Sequence, residues 1–271
     1  MRIQYYGPRG SLPTPGSATV KYGGNTTCLS IRFKNRQFIV DGGSGLRILG
    51  NELMQGDFKR GKGEVIFFWT HFHWDHIMGF PFFVPNFIRG NRIIHYGSNR
   101  VQEILNRQQD FITFPVEFKQ MPSEQIFHTL PDDKSVEVEG LTVSHCPMNH
   151  PAGGFIYKFA AGGKSFVFAT DTEHPESGMD ERLLAFCSGA DLLIYDAQYT
   201  PEEYAQGRKG WGHSTWEKGV ELAKAAGVKR LHLCHHDQLH SDRFLESKIL
   251  APAQRLFPRT VLAREGWEFT L

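Results

Sequence analysis

Three histidines and an aspartate lie within one short segment of the chain, Thr70–His76 (THFHWDH). The apolar run VIFFW just before it predicts a buried strand that ends where the cluster begins. In extended backbone His71 and His73 point to the same side, while Asp75 and His76 follow where the chain turns and can face a second point. First-row metals prefer such ligands. The spacing predicts a site for two ions, against the alternative of a histidine-rich surface loop.

The H-x-H-x-D-H pattern of this segment resembles the signature of the metallo-β-lactamase superfamily. Members of that family draw further ligands from later loops, and the sequence offers candidates in MNHPAGGF, FVFATDT and RLHLCH. The resemblance implies seven ligands in two groups with one bridging residue: His71, His73 and His150 for one metal, Asp75, His76 and His235 for the other, and Asp171 as the bridge.

Some neighbouring residues leave alternatives open. His236 directly follows His235 and could be the ligand instead, although comparison with the family's strand-end histidine favours His235. Asp41 in VDGGSG either orients ligand imidazoles by accepting their hydrogen bonds or simply caps a turn or helix. Four other histidines are expected to support the site from outside or to lie on the surface: His145, His174, His232 and His240. His95 and His128 have no metal-like spacing and no assigned function.

Length and composition point to a folded chain without a strongly charged surface. The 271 residues suffice for one large α/β domain or two small ones, and we expect a single domain over 1–271. Hydrophobic residues make up 40% of the chain, which is enough for a substantial core. The net charge of +1 argues against a strongly basic surface for long nucleic acids.

The four cysteines are scattered and form no Cys-x-x-Cys pair. This argues against a disulfide scaffold or a structural zinc knuckle and favours buried free thiols. The N-terminal segment has no apolar signal region, and no apolar run approaches the ~20 residues of a membrane span. We therefore expect a cytoplasmic protein that does not associate with membranes.

Apolar periodicity predicts the elements that must position the candidate ligands. The predicted strands are Ile3–Tyr6, Cys28–Phe33, Gln37–Val40, 65–70, Arg92–Tyr96, Val136–Val138, Leu141–His145, Phe155–Phe159, Ser165–Ala169, Leu192–Tyr195, Arg230–Cys234, Thr260–Ala263 and Trp267–Thr270. The predicted helices are Gly45–Gln55, Arg100–Gln109, Asp180–Cys187, Ser214–Ala226 and Phe244–Phe257, the last kinked at Pro252. Periodicity alone indicates an α/β or α+β protein. The family resemblance implies the α/β four-layer αββα sandwich.

Two irregular segments are expected near the site. The turn-rich Gly7–Gly16 can fold over it as a lid or wall. The apolar, proline-broken Phe80–Ile88 either walls the pocket, forms a homodimer contact, or packs into the core.

Two divalent ions ~3.5–4 Å apart can bind a bridging hydroxide, hold substrate oxygens and stabilise charge on both sides of a displacement. This chemistry predicts hydrolysis by attack of that hydroxide, with no protein nucleophile, and Asp75 counts among the catalytic candidates as well as the ligands. Histidine and carboxylate ligands suit zinc, the preferred metal, and also manganese or iron.

Substrate class depends on other segments, because related enzymes use nearly the same ligands for several chemistries. Trp211–Thr215 (WGHST), Leu193–Tyr199 and Ala169–Thr172 together resemble the ribonuclease Z-like phosphodiesterase branch. The resemblance implies that His213 contacts the scissile phosphate and that Asp196 orients it, although that branch usually has Glu in place of Asp196. Capping of the following helix is the alternative role for His213.

The chain has no Gly/Pro-rich basic arm of the kind that tRNA-processing ribonuclease Z enzymes use to hold tRNA. The segments YGGNTTC, DGGSG and HWDH resemble a bacterial subgroup related to cyclic-nucleotide phosphodiesterases. We therefore expect a phosphodiesterase for small diesters such as cyclic nucleotides. The alternatives are a ribonuclease Z-like nuclease acting on RNA, and a carbon-ester or lactone hydrolase of the same superfamily.

Overall fold

Two seven-stranded sheets form the centre of the molecule in the computed structural model, which describes residues 1–132 and 135–271. The strands are β1 Arg2–Gly7, β2 Cys28–Phe33, β3 Arg36–Val40, β4 Glu64–Phe68, β5 Arg92–Gly97, β6 Glu124–Thr129, β7 Val136–Val138, β8 Leu141–Pro147, β9 Phe155–Ala161, β10 Lys164–Ala169, β11 Leu192–Asp196, β12 Leu231–Cys234, β13 Thr260–Leu262 and β14 Glu268–Thr270. The first sheet has the order β14-β1-β2-β3-β4-β5-β6, and the second has the order β13-β12-β11-β10-β9-β8-β7.

Helices cover the outer face of each sheet. They are α1 Leu46–Leu53, α2 Trp74–Ile77, α3 Val101–Gln108, α4 Glu181–Cys187, α5 Pro201–Ala205, α6 Trp216–Ala225, α7 Asp242–Phe244 and α8 Ala251–Leu256. A π-helical turn, Leu245–Leu250, joins α7 to α8, and short 3₁₀ helices span Asp57–Arg60, Phe80–Phe82, Val84–Phe87 and Phe118–Gln120.

The burial of alternate residues produces the layers. In β4, Ile66 and Phe68 face the core between the two sheets, whereas Val65 and Phe67 face the helical side with α1 and α3. The second sheet packs its other face against α4, α6 and α8. A strand buried on both faces reads as a continuous apolar run, which explains VIFFW. The αββα sandwich implied by the family resemblance is confirmed.

Most predicted elements are present within a few residues of their expected ends. The helix predicted over Ser214–Ala226 begins at Trp216, and its cap is Thr215, whose side chain accepts a hydrogen bond from the Lys218 N–H at 3.3 Å. The predicted C-terminal helix begins earlier, at Asp242, and its irregularity is the π-helical turn that precedes Pro252. Strand β6 and helix α5 were not predicted.

The segment Phe80–Ile88 forms two 3₁₀ helices rather than a helix or a strand. Phe80 and Phe83 are fully buried in the core beneath the first sheet, so these two side chains follow the core-packing alternative. Phe82 is 55% exposed and contacts the Phe114 ring edge-on at 5.4 Å.

The parallel strands of both sheets end at the same edge of the sandwich. In the first sheet β3, β4, β5 and β6 run parallel, and in the second β10, β11, β12 and β13 do so. Loops at the carboxyl ends of parallel strands are the usual place for functional side chains in such sheets. The candidate ligands all follow strands that end at this edge.

Candidate metal centre

The first ligand group consists of His71, His73 and His150, whose ligand-capable atoms lie within 4.8 Å of one another. His71 and His73 follow β4, and His150 follows β8 of the second sheet. The Nδ1 atom of His73 lies 3.1 Å from Nε2 of His150. Three imidazole nitrogens therefore converge from two sheets, as the sequence predicts.

The second group consists of Asp75, His76, Asp171 and His235, again with ligand-capable atoms within 4.8 Å of one another. The Nε2 atom of His235 lies 3.2 Å from Asp75 Oδ2 and 3.3 Å from Asp171 Oδ1. Asp171 also approaches the first group, with Oδ1 3.7 Å from His71 Nε2. Its position between the groups is the one that a bridging carboxylate requires.

Backbone conformation contributes to this convergence. Asp41 after β3, Asp171 after β10 and His235 after β12 have φ values of 59°, 54° and 60°. Residues other than glycine rarely adopt this left-handed region, although Asp and His do so more readily than most. Strained residues of this kind cluster at functional sites. Here they turn the chain sharply at the strand ends and direct the side chains into the cluster.

Electrostatics favour cations at the centre of the cluster. Burial disfavours the charged forms, yet the neighbouring imidazoles hold the pKa of Asp171 and of Asp75 well below the usual range. Burial lowers the pKa of His76, but Asp171, Asp75 and Asp41 outweigh it and raise that pKa well above its ordinary value. The carboxylates are thus ionised in a buried pocket, where a divalent cation would neutralise them.

The donor set fits two first-row divalent ions. His71 is buried, and its Nε2 atom has no hydrogen-bond partner among the described residues. A buried nitrogen left without a partner is costly unless it binds something else, such as a metal ion. Neutral imidazole also suits metal binding, and burial keeps the pKa of His71 well below its ordinary value.

Groups outside the cluster orient three of the ligands through their second ring nitrogen. His76 Nδ1 lies 2.8 Å from Asp41 Oδ2, His150 Nδ1 lies 2.9 Å from the Gly212 carbonyl, and His235 Nδ1 lies 3.1 Å from Gln198 Oε1. Each contact leaves Nε2 directed at the cluster. The Asp41 contact agrees with the orienting role, one of the two alternatives that the sequence left open, whereas Gln198 was not predicted.

His213 and Asp196 form a pair beside the metal cluster, with His213 Nδ1 2.9 Å from Asp196 Oδ2. His213 stacks on the His235 ring with 5.0 Å between centroids. The ligand-capable atoms of these two residues also lie within 4.8 Å of those of Asp171 and His235, an arrangement that resembles a third ligand group. However, Asp196 already accepts backbone hydrogen bonds from Asp171, Gln198 and Ser214, so its oxygens are committed to protein donors.

Glu173 is a second residue that was not predicted, and it holds the loop that carries His213. Its carboxylate accepts hydrogen bonds from the N–H groups of Gly210 at 2.8 Å and Gly212 at 2.9 Å. The carbonyl of Gly212 accepts a hydrogen bond from His150 Nδ1, so this one residue connects Glu173, a candidate ligand and the His213 loop. A Cβ atom at Gly212 would lie 2.0 Å from His150 Nδ1, and its φ of 85° also favours glycine.

The N-terminal loop forms one wall of the site, in keeping with the expectation of a lid or wall over Gly7–Gly16. The backbone N–H of Ser11 donates to Asp75 Oδ2 at 2.8 Å. A Cβ atom at Gly10 would lie 2.3 Å from His235 Nδ1, so only glycine allows the loop to approach this closely.

The remaining histidines lie outside the cluster. His236, the alternative ligand, is buried with Nε2 3.0 Å from the Ala263 carbonyl. The others bind other groups or lie on the surface: His95 contacts Trp69 and Gln125, His145 contacts Pro131, His174 contacts Ser214, His232 contacts Tyr5, His240 contacts Glu203, and His128 is exposed.

Fold and site together define a metal-dependent hydrolase whose ligands converge from two sheets. The sequence model described as "Beta-lactamase superfamily domain" matches residues 36–236. The chain belongs to this superfamily. The fold of the superfamily implies divalent metal ions.

Curated relatives carry the name Ribonuclease Z. The protein from Azobacteroides pseudotrichonymphae is 25% identical over 271 aligned positions, which cover 87% of this chain and 89% of the relative. The protein from Brevibacillus brevis is 36% identical over 104 positions, but these cover only 37% of this chain and 31% of the relative.

Solved structures with the same fold include human tRNase Z, short form, which matches at 18% identity and a TM-score of 0.70, covering 100% of this chain and 99% of that chain. Unliganded yeast PDE1 matches at 14% identity and a TM-score of 0.71, covering 100% of this chain and 99% of that chain. Zn²⁺-bound PqqB from Methylobacterium extorquens matches at 14% identity and a TM-score of 0.76, with full coverage of both chains. At these identities the likeness shows the fold alone. Among the described residues, no helix is long and apolar enough to cross a membrane.

Proposed function

We propose that this chain is a dinuclear metal-dependent phosphodiesterase that hydrolyses small phosphodiesters, with cyclic nucleotides as the substrate class. His71, His73 and His150 would hold one ion, Asp75, His76 and His235 the other, and Asp171 would bridge them. When bound, the two ions supply an activated water and neutralise charge on the phosphate. Zinc is the metal we favour for this donor set, with manganese or iron as alternatives.

The observation that carries the choice of phosphodiester is the His213–Asp196 pair, 2.9 Å apart beside the ligand cluster. Because Nδ1 of His213 faces the carboxylate, Nε2 is left to contact a phosphate oxygen or to give a proton to the leaving oxygen. Asp196 is fully buried and accepts several backbone hydrogen bonds, so it holds the imidazole in one orientation.

The test compares leaving groups in His213→Ala. We expect the variant to keep both metals and to lose ~10²–10⁴-fold in turnover of a 2′,3′-cyclic nucleotide, the usual contribution of a positioned acid or base. The loss should be smaller for bis-p-nitrophenyl phosphate, because p-nitrophenolate barely needs a proton. Asp196→Asn should give a weaker version of the same pattern.

The matched control for this test is His128→Ala, which removes an exposed histidine. Equal losses on both diesters in His213→Ala would indicate structural damage. Unchanged turnover would contradict the proposed role of His213 and the choice of phosphodiester with it.

Cleavage of RNA is the second candidate, because the curated relatives are named Ribonuclease Z. Binding of a long RNA releases counterions, so its affinity should fall steeply with salt, whereas a small diester should show a shallow dependence. We further propose that residues 1–271 act as one domain in the cytoplasm. The ligands come from both sheets, and all four cysteines are buried free thiols.

A further inference from the structure

Two exposed tryptophans lie beside the ligand cluster. Trp74 lies between His73 and Asp75 and is 80% exposed, and Trp211 lies two residues before His213 and is 54% exposed. His73 is the exposed member of its ligand group, so the cluster opens to solvent on this side. A single exposed indole is ordinary, but two next to candidate site residues suggest a binding surface.

A short path of contacts links the residues next to these two tryptophans. His73 Nδ1 lies 3.1 Å from His150 Nε2, and His150 Nδ1 lies 2.9 Å from the Gly212 carbonyl. Trp74 directly follows the first residue of this path, and Trp211 directly precedes the last.

Contacts with neighbouring residues hold Trp211 in place. The Arg208 guanidinium lies 4.7 Å from the Trp211 ring centroid and 5.8 Å from that of Tyr199, so the cation contacts both rings. Glu173 accepts hydrogen bonds from the backbone on either side of Trp211, at Gly210 and Gly212. These contacts restrict the conformations that the indole can adopt.

We propose that Trp74 and Trp211 form a stacking subsite for the nucleobase of the substrate. This inference rests on the proposed function, which places the phosphate at the metal cluster. Aromatic side chains bind the π-faces of all bases, and the Arg208 cation adds attraction for an anionic nucleotide. The subsite would therefore select diesters that carry a base over those that do not, without selecting strongly among bases.

The experiment measures binding by calorimetry, using zinc-loaded full-length protein with AMP and with ribose 5-phosphate, which lacks the base. We expect AMP to bind roughly 5- to 150-fold more tightly, the range for stacking one base. Trp211→Ala should remove most of this preference and Trp74→Ala part of it, while Trp211→Phe should restore it. Leu256→Ala, an exposed apolar residue of α8, is the control and should leave the preference unchanged.

Equal affinity of the two ligands for the wild type, or an undiminished preference in both tryptophan-to-alanine variants, would overturn the subsite. Calorimetry measures binding without turnover, so the stacking subsite and the proposed phosphodiesterase activity are tested separately. A protein that prefers AMP through Trp211 but hydrolyses no phosphodiester would retain the subsite and lose the phosphodiesterase.

Discussion

Buried histidines occur in two settings in this molecule, and the difference lies in what their second ring nitrogen faces. In the cluster, His76 is bound by Asp41 through Nδ1, while its Nε2 lies 3.2 Å from Asp171 and 3.3 Å from Asp75. In the core, His95 accepts from the Trp69 indole at Nδ1 and contacts Gln125 through Nε2. Burial alone therefore does not identify a ligand; a nitrogen that converges with other donors does.

The same burial has opposite electrostatic outcomes in the two settings. Burial lowers the pKa of His95 to about 4, because only Gln125 opposes it. Three carboxylates overcome burial at His76 and raise its pKa well above the ordinary value. The neighbouring carboxylates decide which imidazole attracts positive charge.

The largest expected effect comes from removing the carboxylate shared by both ligand groups. Asp171→Ala should release at least one metal and abolish hydrolysis, because two cations would then lack their common anion. Since bound metal stabilises the folded state, the thermal midpoint should also fall. Elemental analysis and thermal unfolding measure these outcomes. Asp191→Ala, which removes another buried carboxylate that pairs with Lys164 and Lys229, should keep both metals. Two fully occupied sites in Asp171→Ala would contradict the bridging role.

For the core residue His95, we expect substitution to change stability rather than metal binding. The pKa of His95 is 6.5 in the unfolded chain and about 4 in the folded protein. Burial of the neutral imidazole therefore contributes to the free energy of unfolding above pH 6.5, and this contribution is lost as the pH falls toward 4. The loss is roughly 3 kcal/mol, from about 1.4 kcal/mol per pKa unit. Urea unfolding across this range should show a shallower pH dependence for His95→Gln than for the wild type.

Loss of bound metal in acid destabilises the wild type and His95→Gln alike. The difference between their pH dependences therefore reports the contribution of His95. His128→Gln, at an exposed position, is the control and should follow the wild type. Identical slopes for wild type and His95→Gln would show that the buried imidazole does not carry the effect.

The smallest expected effect concerns orientation of a ligand. Gln198→Ala removes the acceptor of the His235 Nδ1–H and should weaken metal binding about 10- to 100-fold at the group that contains His235. Titration against a chelator measures this affinity. The exposed Gln206→Ala is the control. Unchanged affinity in Gln198→Ala would mean that packing alone orients His235.

Sequence patterns indicated the candidate ligands more clearly than the groups that orient them. The cluster THFHWDH is contiguous, and the later ligands follow apolar strands, so spacing and strand ends make both visible. Gln198 and Glu173 have no such signature, because an amide or carboxylate acquires its role only from the chain topology that brings its partner close. The available signal was position: Gln198 lies two residues past Asp196, and Glu173 two past Asp171.

Physical reasons also explain why sequence patterns did not reveal strand β6 and helix α5. Strand β6 lies at the edge of the first sheet and, within residues 1–132 and 135–271, pairs only with β5. Its side chains are partly or fully exposed, so it lacks a clear apolar pattern. Helix α5 is only five residues long, but its start was readable. Thr200 and Glu203 form a capping box around Pro201, a recognised signal for a helix N-terminus.

The left-handed backbone at Asp41, Asp171 and His235 limits how the site can change during evolution. Asparagine and glycine tolerate this conformation, whereas valine and isoleucine do not. A lineage that loses the metals can therefore acquire Asn or Gly at these three positions without disturbing the strands that precede them. Replacement by a β-branched residue would instead penalise folding before it affected catalysis. The backbone thus restricts which inactive descendants of this site remain foldable.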